Sequence, residues 1–242
     1  MLFKKIKNFN RAQEISEAAK MGADLDFSTA EAYNLLRTNL FFAFPGKIGG
    51  RCIGITSPAP SEGKSFTAIN LAYSLAKDGQ KVLLVDGDMR KPTIADKLHL
   101  KPNPGLSNQL VDRGGMFVQE SEMHENFFVL TAGNIPPNPS ELIGSDEMRN
   151  VLGEYAKQYD YVIVDLPPVM EVPDPLIMAK NLDGIVITVR HERSYRNEIK
   201  ETVRKLQFAN AHILGFVYNG YSNATPHKRG KKHYAYKSIK RK

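Results

Sequence analysis

TSPAPSEGKSFTAINLA, residues 56–72, runs from an apolar stretch through a loop punctuated by Pro and Gly into a helical pattern, and its Gly63-Lys64-Ser65 matches the end of a phosphate-binding loop. The general form G-x-x-x-x-G-K-[ST] asks for Gly at position 58, where this chain has Pro58. Such a loop works through backbone N–H groups aimed at phosphates, a Lys that follows them, a hydroxyl for Mg2+ and the positive end of a helix. The Gly-Lys-Ser end stands directly after the strand-like CIGIT and directly before the helix-like FTAINLAYSLAKDG, which is the context the motif needs. Pro58 fits a turn position whose N–H need not donate, so the loop's entry is expected to differ from the usual form. Taken alone, the stretch also describes a Gly-Lys-Ser turn capping an ordinary helix.

Two further stretches bear on that choice. LLVDGDMRKP, residues 83–92, closes an apolar run with Asp86 and adds Asp88, while YVIVDLPPV, residues 161–169, closes another with Asp165. Carboxylates at strand ends line the carboxyl edge of a parallel sheet, where such folds bind ligands. Mg2+ on a triphosphate takes one or two carboxylates, a hydroxyl and waters, so these acids and Ser65 are a sufficient set. A surface salt bridge accounts for any one of the three acids but not for all of them in this setting.

Short apolar runs alternate with amphipathic stretches from residue 51 onward, the pattern of a parallel sheet with helices on both faces. Strands are expected over 52–56, 81–86, 127–132, 161–165, 184–189 and 212–217, and helices over 65–78, 105–112, 146–158, 173–181 and 194–209. Ahead of them STAEAYNLLRTNLFFAF predicts a helix over 28–44, with Ala32, Leu35, Leu36 and Leu40 at helical spacing, Ser28 or Thr29 as cap, and Pro45 and Gly46 as its end. The expected fold class is α/β, a P-loop NTPase fold over 28–222, between a basic segment over 1–27 and a flexible basic tail over 223–242.

A chain of 242 residues with 42% apolar composition fits one core. No stretch approaches the roughly 18 consecutive apolar residues of a membrane span, and MLFKKIKNFNR lacks the apolar centre of a secretory signal, so a cytoplasmic chain is expected. The single Cys52 allows no internal disulfide and reads as a strand residue. The net charge of +7 resides at the ends: residues 227–242 carry eight Lys or Arg and no acid, which leaves 25 basic against 26 acidic residues elsewhere. Lys4, Lys5, Lys7 and Arg11 form a smaller patch. Such ends suit an anionic lipid surface, nucleic acid or an acidic partner, and a solvated tail explains them as well.

Together these stretches resemble the bacterial tyrosine kinases (BY-kinases) of capsule and exopolysaccharide assembly. SPAPSEGKS looks like the family's first Walker box, VLLVDGDMR like its second (an apolar run, then D-x-D-x-R) and VIVDLPP like its third; PPNPSELIGS looks like the family too. Partition-type ATPases share the sheet and boxes but carry a signature Lys one residue after the loop's first position, where this chain has Ala59. The resemblance implies an ATP- and Mg2+-dependent protein-tyrosine autokinase that phosphorylates tail tyrosines of neighbouring subunits and regulates polysaccharide polymerisation and export. A partition-type nucleotide switch and a non-catalytic scaffold are the alternatives.

By the same resemblance, Pro60, Ser61, Glu62, Gly63, Lys64, Ser65 and Phe66 hold the nucleotide together with Arg90 and Asn219, the latter at the adenine. Lys64 stabilises the β- and γ-phosphates; Ser65, Asp88 and Asp165 hold Mg2+; Asp86 orients or deprotonates the incoming Tyr hydroxyl. Arg90 has a structural alternative, pairing with an acid. The family's ring-forming E-x-x-R-x-x-R reads Glu31, Asn34, Arg37 here, which leaves Glu31 and Arg37 as the subunit contacts. The tail offers Tyr234 and Tyr236 as acceptors, and Ser61 and Phe66 stand where a Gly and a Thr are common. Implied partners are a transmembrane activator of the polysaccharide co-polymerase type, further copies of the chain, a cognate tyrosine phosphatase and an anionic membrane surface; nucleic acid is not expected. The implied location is the cytoplasm, at the inner face of the membrane through that partner.

Overall fold

Apolar residues on both faces of a strand require cover on both faces, and the strand runs of this chain are apolar at nearly every position. The computed structural model describes residues 21–46, 48–112 and 115–220. In chain order they form α1 (Phe27–Ala43), β1 (Arg51–Thr56), α2 (Lys64–Lys77), β2 (Val82–Asp86), α3 (Ile94–Lys97), α4 (Leu106–Asp112), β3 (Gln119–Glu120), β4 (Phe127–Leu130), α5 (Pro139–Gly144), α6 (Asp146–Gln158), β5 (Tyr161–Asp165), α7 (Asp174–Met178), β6 (Gly184–Arg190), α8 (Arg196–Phe208) and β7 (Ile213–Asn219). The sheet order is β3-β4-β2-β5-β1-β6-β7, parallel throughout except for the antiparallel edge β3.

Ile53, Ile55, Val82, Leu84 and Ile163 point to one face, where they meet Ile69, Leu71 and Leu75 of α2 and Leu40 of α1. Leu83, Val85, Val162 and Val164 point to the other and meet Leu110, Val151, Leu152 and Tyr155 from α4 and α6. Leu206 of α8 covers Ile185, Ile187 and Val189 of β6. Helices therefore lie on both faces, as the sequence predicts.

The first helix differs in detail from its expectation. Its cap is Asp26, whose carboxylate accepts from the Thr29 backbone N–H (3.0 Å) and hydroxyl (2.6 Å), so neither Ser28 nor Thr29 caps it. The cause is spacing, since an acid three residues ahead of Thr29 reaches the free N–H groups of the first turn. The packed face is Tyr33, Leu36, Leu40 and Phe44, while Ala32 and Leu35 face outward. Residues ahead of the expected boundary at 28 already pack on the body: the Gly22 N–H donates to Asn70 Oδ1 (2.8 Å), and Met21 and Leu25 join the α2 face of the core.

β1 leads to β2 on one side, the chain later fills the gap between them with β5, and β6 pairs on the other side of β1. At such a change of direction, here the carboxyl ends of β1, β2 and β5, open α/β sheets bind their ligands.

Candidate active site

Strand register alone sets the two acidic strand ends side by side, because Asp86 of β2 pairs with Asp165 of β5, and Asp165 in turn pairs with Ile55 of β1. The loop after β1 then turns over this edge into α2. Its entry is stitched to the segment after β5: the Thr56 hydroxyl donates to the Pro167 carbonyl (2.7 Å), and the Val169 and Met170 N–H groups donate to the Ser57 (2.9 Å) and Pro58 (3.2 Å) carbonyls. Pro58 is used through its carbonyl, so the absence of an N–H there costs no bond.

At its exit Gly63 caps α2 with φ 96°, a left-handed conformation that glycine adopts freely, and a Cβ built there would lie 1.9 Å from Asn219 Nδ2. The Lys64 ammonium lies 3.0 Å from Asp88, 3.4 Å from Asp165 and 3.4 Å from Ser65 Oγ. Burial pulls Lys64 down, but Asp165 and Asp88 beside it prevail and hold it above its usual value. Burial pushes the Asp165 carboxyl up against the opposing pull of Lys64 and Ser65. Asp86 is fully buried, and burial together with the charge of Asp165 raises it to about 7. Its oxygens accept from the backbone N–H groups of Asp88 (3.3 Å), Thr93 (3.1 Å) and Ile94 (3.1 Å), which fixes the carboxylate at the start of α3.

Of the other expected site residues, Glu62 is completely buried; its carboxylate accepts from the Ala59 N–H (3.2 Å) and from the Ser194 hydroxyl. Ser61 and Pro60 lie exposed on the loop's outer turn, and Phe66 is half-buried on α2. Asn219 donates to the Glu62 carbonyl (3.2 Å). Arg90 points its guanidinium at Asp174, with Nε 2.8 Å from Oδ2 and Nη2 3.2 Å from Oδ1, and Nη2 also donates to Ser140 Oγ (2.8 Å). Glu31 accepts from Asn34 Nδ2 (2.9 Å), whereas Arg37 turns inward to the Ser74 carbonyl (3.0 Å) and Asp78 (3.1 Å) at the end of α2. Tyr234 and Tyr236 lie outside the described residues.

Thr93, Ser140, Asp174, Arg190 and Ser194 were not expected at the site. Only Ser140, within PPNPSELIGS, lay in a motif; the others join the edge through backbone donors or partners distant in sequence.

Ser65, Asp88 and Asp165 present hard oxygen donors within one buried cluster around a single cation, the Lys64 ammonium, which is the chemistry Mg2+ requires. No group of three or more His, Cys, Asp or Glu side chains with metal-binding geometry occurs among the described residues, so the fit is to an ion that draws further oxygens from a nucleotide and water.

Residues 51–214 match the family model described as AAA domain. The chain is 37% identical over 193 residues to the tyrosine-protein kinase YwqD of Bacillus subtilis, covering 79% of this chain and 81% of that protein. It spans about a quarter of the length of other, longer curated relatives. Among solved structures, the kinase domain of the Escherichia coli tyrosine kinase ETK superposes with a TM-score of 0.76 at 31% identity, covering 86% of this chain and 80% of that one. The chimerical protein CapA2B2 superposes with a TM-score of 0.73 at 39% identity, covering 78% and 83%.

Proposed function

The chain belongs to the AAA-domain family that includes the bacterial tyrosine-protein kinases, and from that premise we propose that it transfers the γ-phosphoryl group of Mg-ATP to Tyr234 and Tyr236 of neighbouring copies. The observation that carries this reading is the convergence of Lys64, Ser65, Asp86, Asp88 and Asp165 on one buried sheet edge.

Phosphoryl transfer asks a protein mainly for positioning and charge neutralisation. Ser65, Asp88 and Asp165 would hold Mg2+, which would supply neutralisation of phosphate charge. The Lys64 ammonium would bind phosphate oxygens, next to the N–H groups at the start of α2. Asp86 is the base: the phenolic oxygen bonds to the γ-phosphorus, its proton passes to the Asp86 carboxylate, and the bond to the departing ADP oxygen breaks. Burial, which persists whatever ion is bound, holds the Asp86 carboxyl above an ordinary Asp and so brings it closer to the phenol it would deprotonate. Ala59 stands where partition-type switches carry their signature Lys, and its N–H serves Glu62 instead.

The reading also places the chain in the cytoplasm beside a membrane-spanning activator of the polysaccharide machinery and in a ring, for which Arg37 would have to leave the Ser74 carbonyl and Asp78, and Glu31 leave Asn34. No described helix is long and apolar enough to cross a membrane. Incubation of the full chain with Mg-ATP, with and without the activator's inner segment, followed by phosphotyrosine mapping, tests the proposal. Phosphate on Tyr234 or Tyr236 that disappears in Lys64→Met is the expected result. ATP turnover that depends on Lys64 with no phosphotyrosine under either condition would assign the chain to the nucleotide switches.

A further inference from the structure

The phosphate loop departs from the general form at Pro58 and, at Ser61, from the Gly common in the family it resembles, and the fold treats the two differently. Pro58 is absorbed by carbonyl bonds to the segment after β5, as above. Ser61 is the more demanding departure: it has φ 62°, in the left-handed region where a residue with a Cβ is disfavoured by about 1–2 kcal/mol and where glycine rests without strain.

Three side chains, two from the last two strands and one from the turn after β6, reach this part of the loop. Arg190, the last residue of β6, donates from Nη1 to the Ser61 carbonyl (3.2 Å). Ser194 donates its hydroxyl to the buried Glu62 carboxylate while accepting from the Arg190 backbone N–H (2.7 Å). Asn219, the last residue of β7, donates to the Glu62 carbonyl (3.2 Å), and its own carbonyl accepts from the His191 N–H (2.9 Å). The turn that carries Arg190 and Ser194 is closed by the Ser194 N–H on the Arg190 carbonyl (3.0 Å). The brace therefore presents its donors from an ordered turn.

We infer that Arg190 and Ser194 are positioning residues of the nucleotide site, holding Ser61 and Glu62 so that a loop without its usual glycine presents its N–H groups to the phosphates. The inference rests on the reading of residues 56–72 as a nucleotide loop and deepens it. The division of labour is specific. Arg190 holds a backbone that Ser61 would otherwise leave, and Ser194 completes the buried Glu62 carboxylate that orients Ala59.

Equilibrium binding of Mg-ADP to the full chain tests this, with Tm measured in parallel. Arg190→Gln and Ser194→Ala are each expected to weaken binding by roughly tenfold, the scale of a lost hydrogen bond to a charged group. Ser194→Thr, which keeps the hydroxyl, is expected to bind within about twofold of the parent. The decisive arm is epistasis: with Ser61→Gly already in place, Arg190→Gln should weaken binding by less than about twofold, because glycine holds the left-handed conformation unaided. A mere surface staple would lower Tm and leave the affinity of the folded molecules intact, and that result overturns the inference. So does an Arg190→Gln penalty that is the same with Ser61 and with Gly at that position. Lys64→Met separates the two levels. If it weakens Mg-ADP binding while the brace variants do not, the inference fails alone; if it has no effect, the nucleotide reading of the loop fails and the inference falls with it.

Discussion

At the scale of a single residue, Asp86 stores electrostatic energy, because burial and the neighbouring Asp165 lift its carboxyl from 3.8 to about 7, and burial lifts Asp165 as well. In the protein free of nucleotide and metal, the folded state thus keeps protons between about pH 4 and pH 7 that the unfolded chain has released. Stability is then greatest on the acid side of that window, falls as pH rises through it, and levels off above it. The free energy of urea unfolding is expected to be larger at pH 5 than at pH 8 by about 1–3 kcal/mol, and Asp86→Asn should reduce the slope. A parent protein that gains stability from pH 5 to pH 8, or a variant with the parent's slope, would contradict the strained state assigned to this acid. The residue was legible as a strand-end acid, since an apolar run closed by Asp is visible in the chain. Its backbone donors Thr93 and Ile94 were not, because they cap and open a four-residue helix too short to show any period.

At the scale of elements, the long apolar runs and the long amphipathic stretches gave the strands and helices almost residue for residue, whereas α3, α5 and the two-residue β3 carried too few positions to register. The phase of α1 was misjudged because Tyr33 was left out of its apolar face. Arg90 shows what tertiary structure adds. An acid partner was one of two readings open to it, and the fold supplies Asp174, 84 residues away at the start of α7, with Ser140 of α5 bridging the pair. The D-x-D-x-R box is thereby welded to two helices that the sequence does not connect to it. Asp174 is fully buried and Arg90 about one-third exposed. Arg90→Gln is expected to cost about 2–4 kcal/mol, somewhat less than loss of a partner from a fully buried pair, because it leaves a buried carboxylate without its cation. Adding Asp174→Asn should return much of that loss, which urea unfolding of the two variants measures; a double variant less stable than Arg90→Gln alone would exclude this account.

At the scale of the whole molecule, three short boxes far apart in the chain meet because the sheet order brings β1, β5 and β2 together, so the site was legible as a set of motifs before any geometry was known. Of the brace only Asn219 was, since Arg190 and Ser194 belong to no motif and reach Ser61 and Glu62 from the strand beside β1 and from the turn that follows it. Charge is segregated on the same scale: the eight basic residues of 227–242 balance nothing within that segment, and the remainder of the chain is close to neutral. Each such residue contributes about 1 kcal/mol near an anionic leaflet, and the attraction is screened over about 8 Å at physiological salt. Removal of residues 223–242 is therefore expected to abolish most binding to phosphatidylserine vesicles in low salt, while the full chain binds there and is released by added salt. The same truncation should leave Mg-ADP affinity in place, since Asn219 and the brace remain, and should eliminate phosphotyrosine, since Tyr234 and Tyr236 are gone. Vesicle binding that survives the truncation would move the membrane contact to Lys4, Lys5, Lys7 and Arg11, and phosphotyrosine that survives it would move the acceptor to a tyrosine nearer the fold, such as Tyr218 or Tyr221.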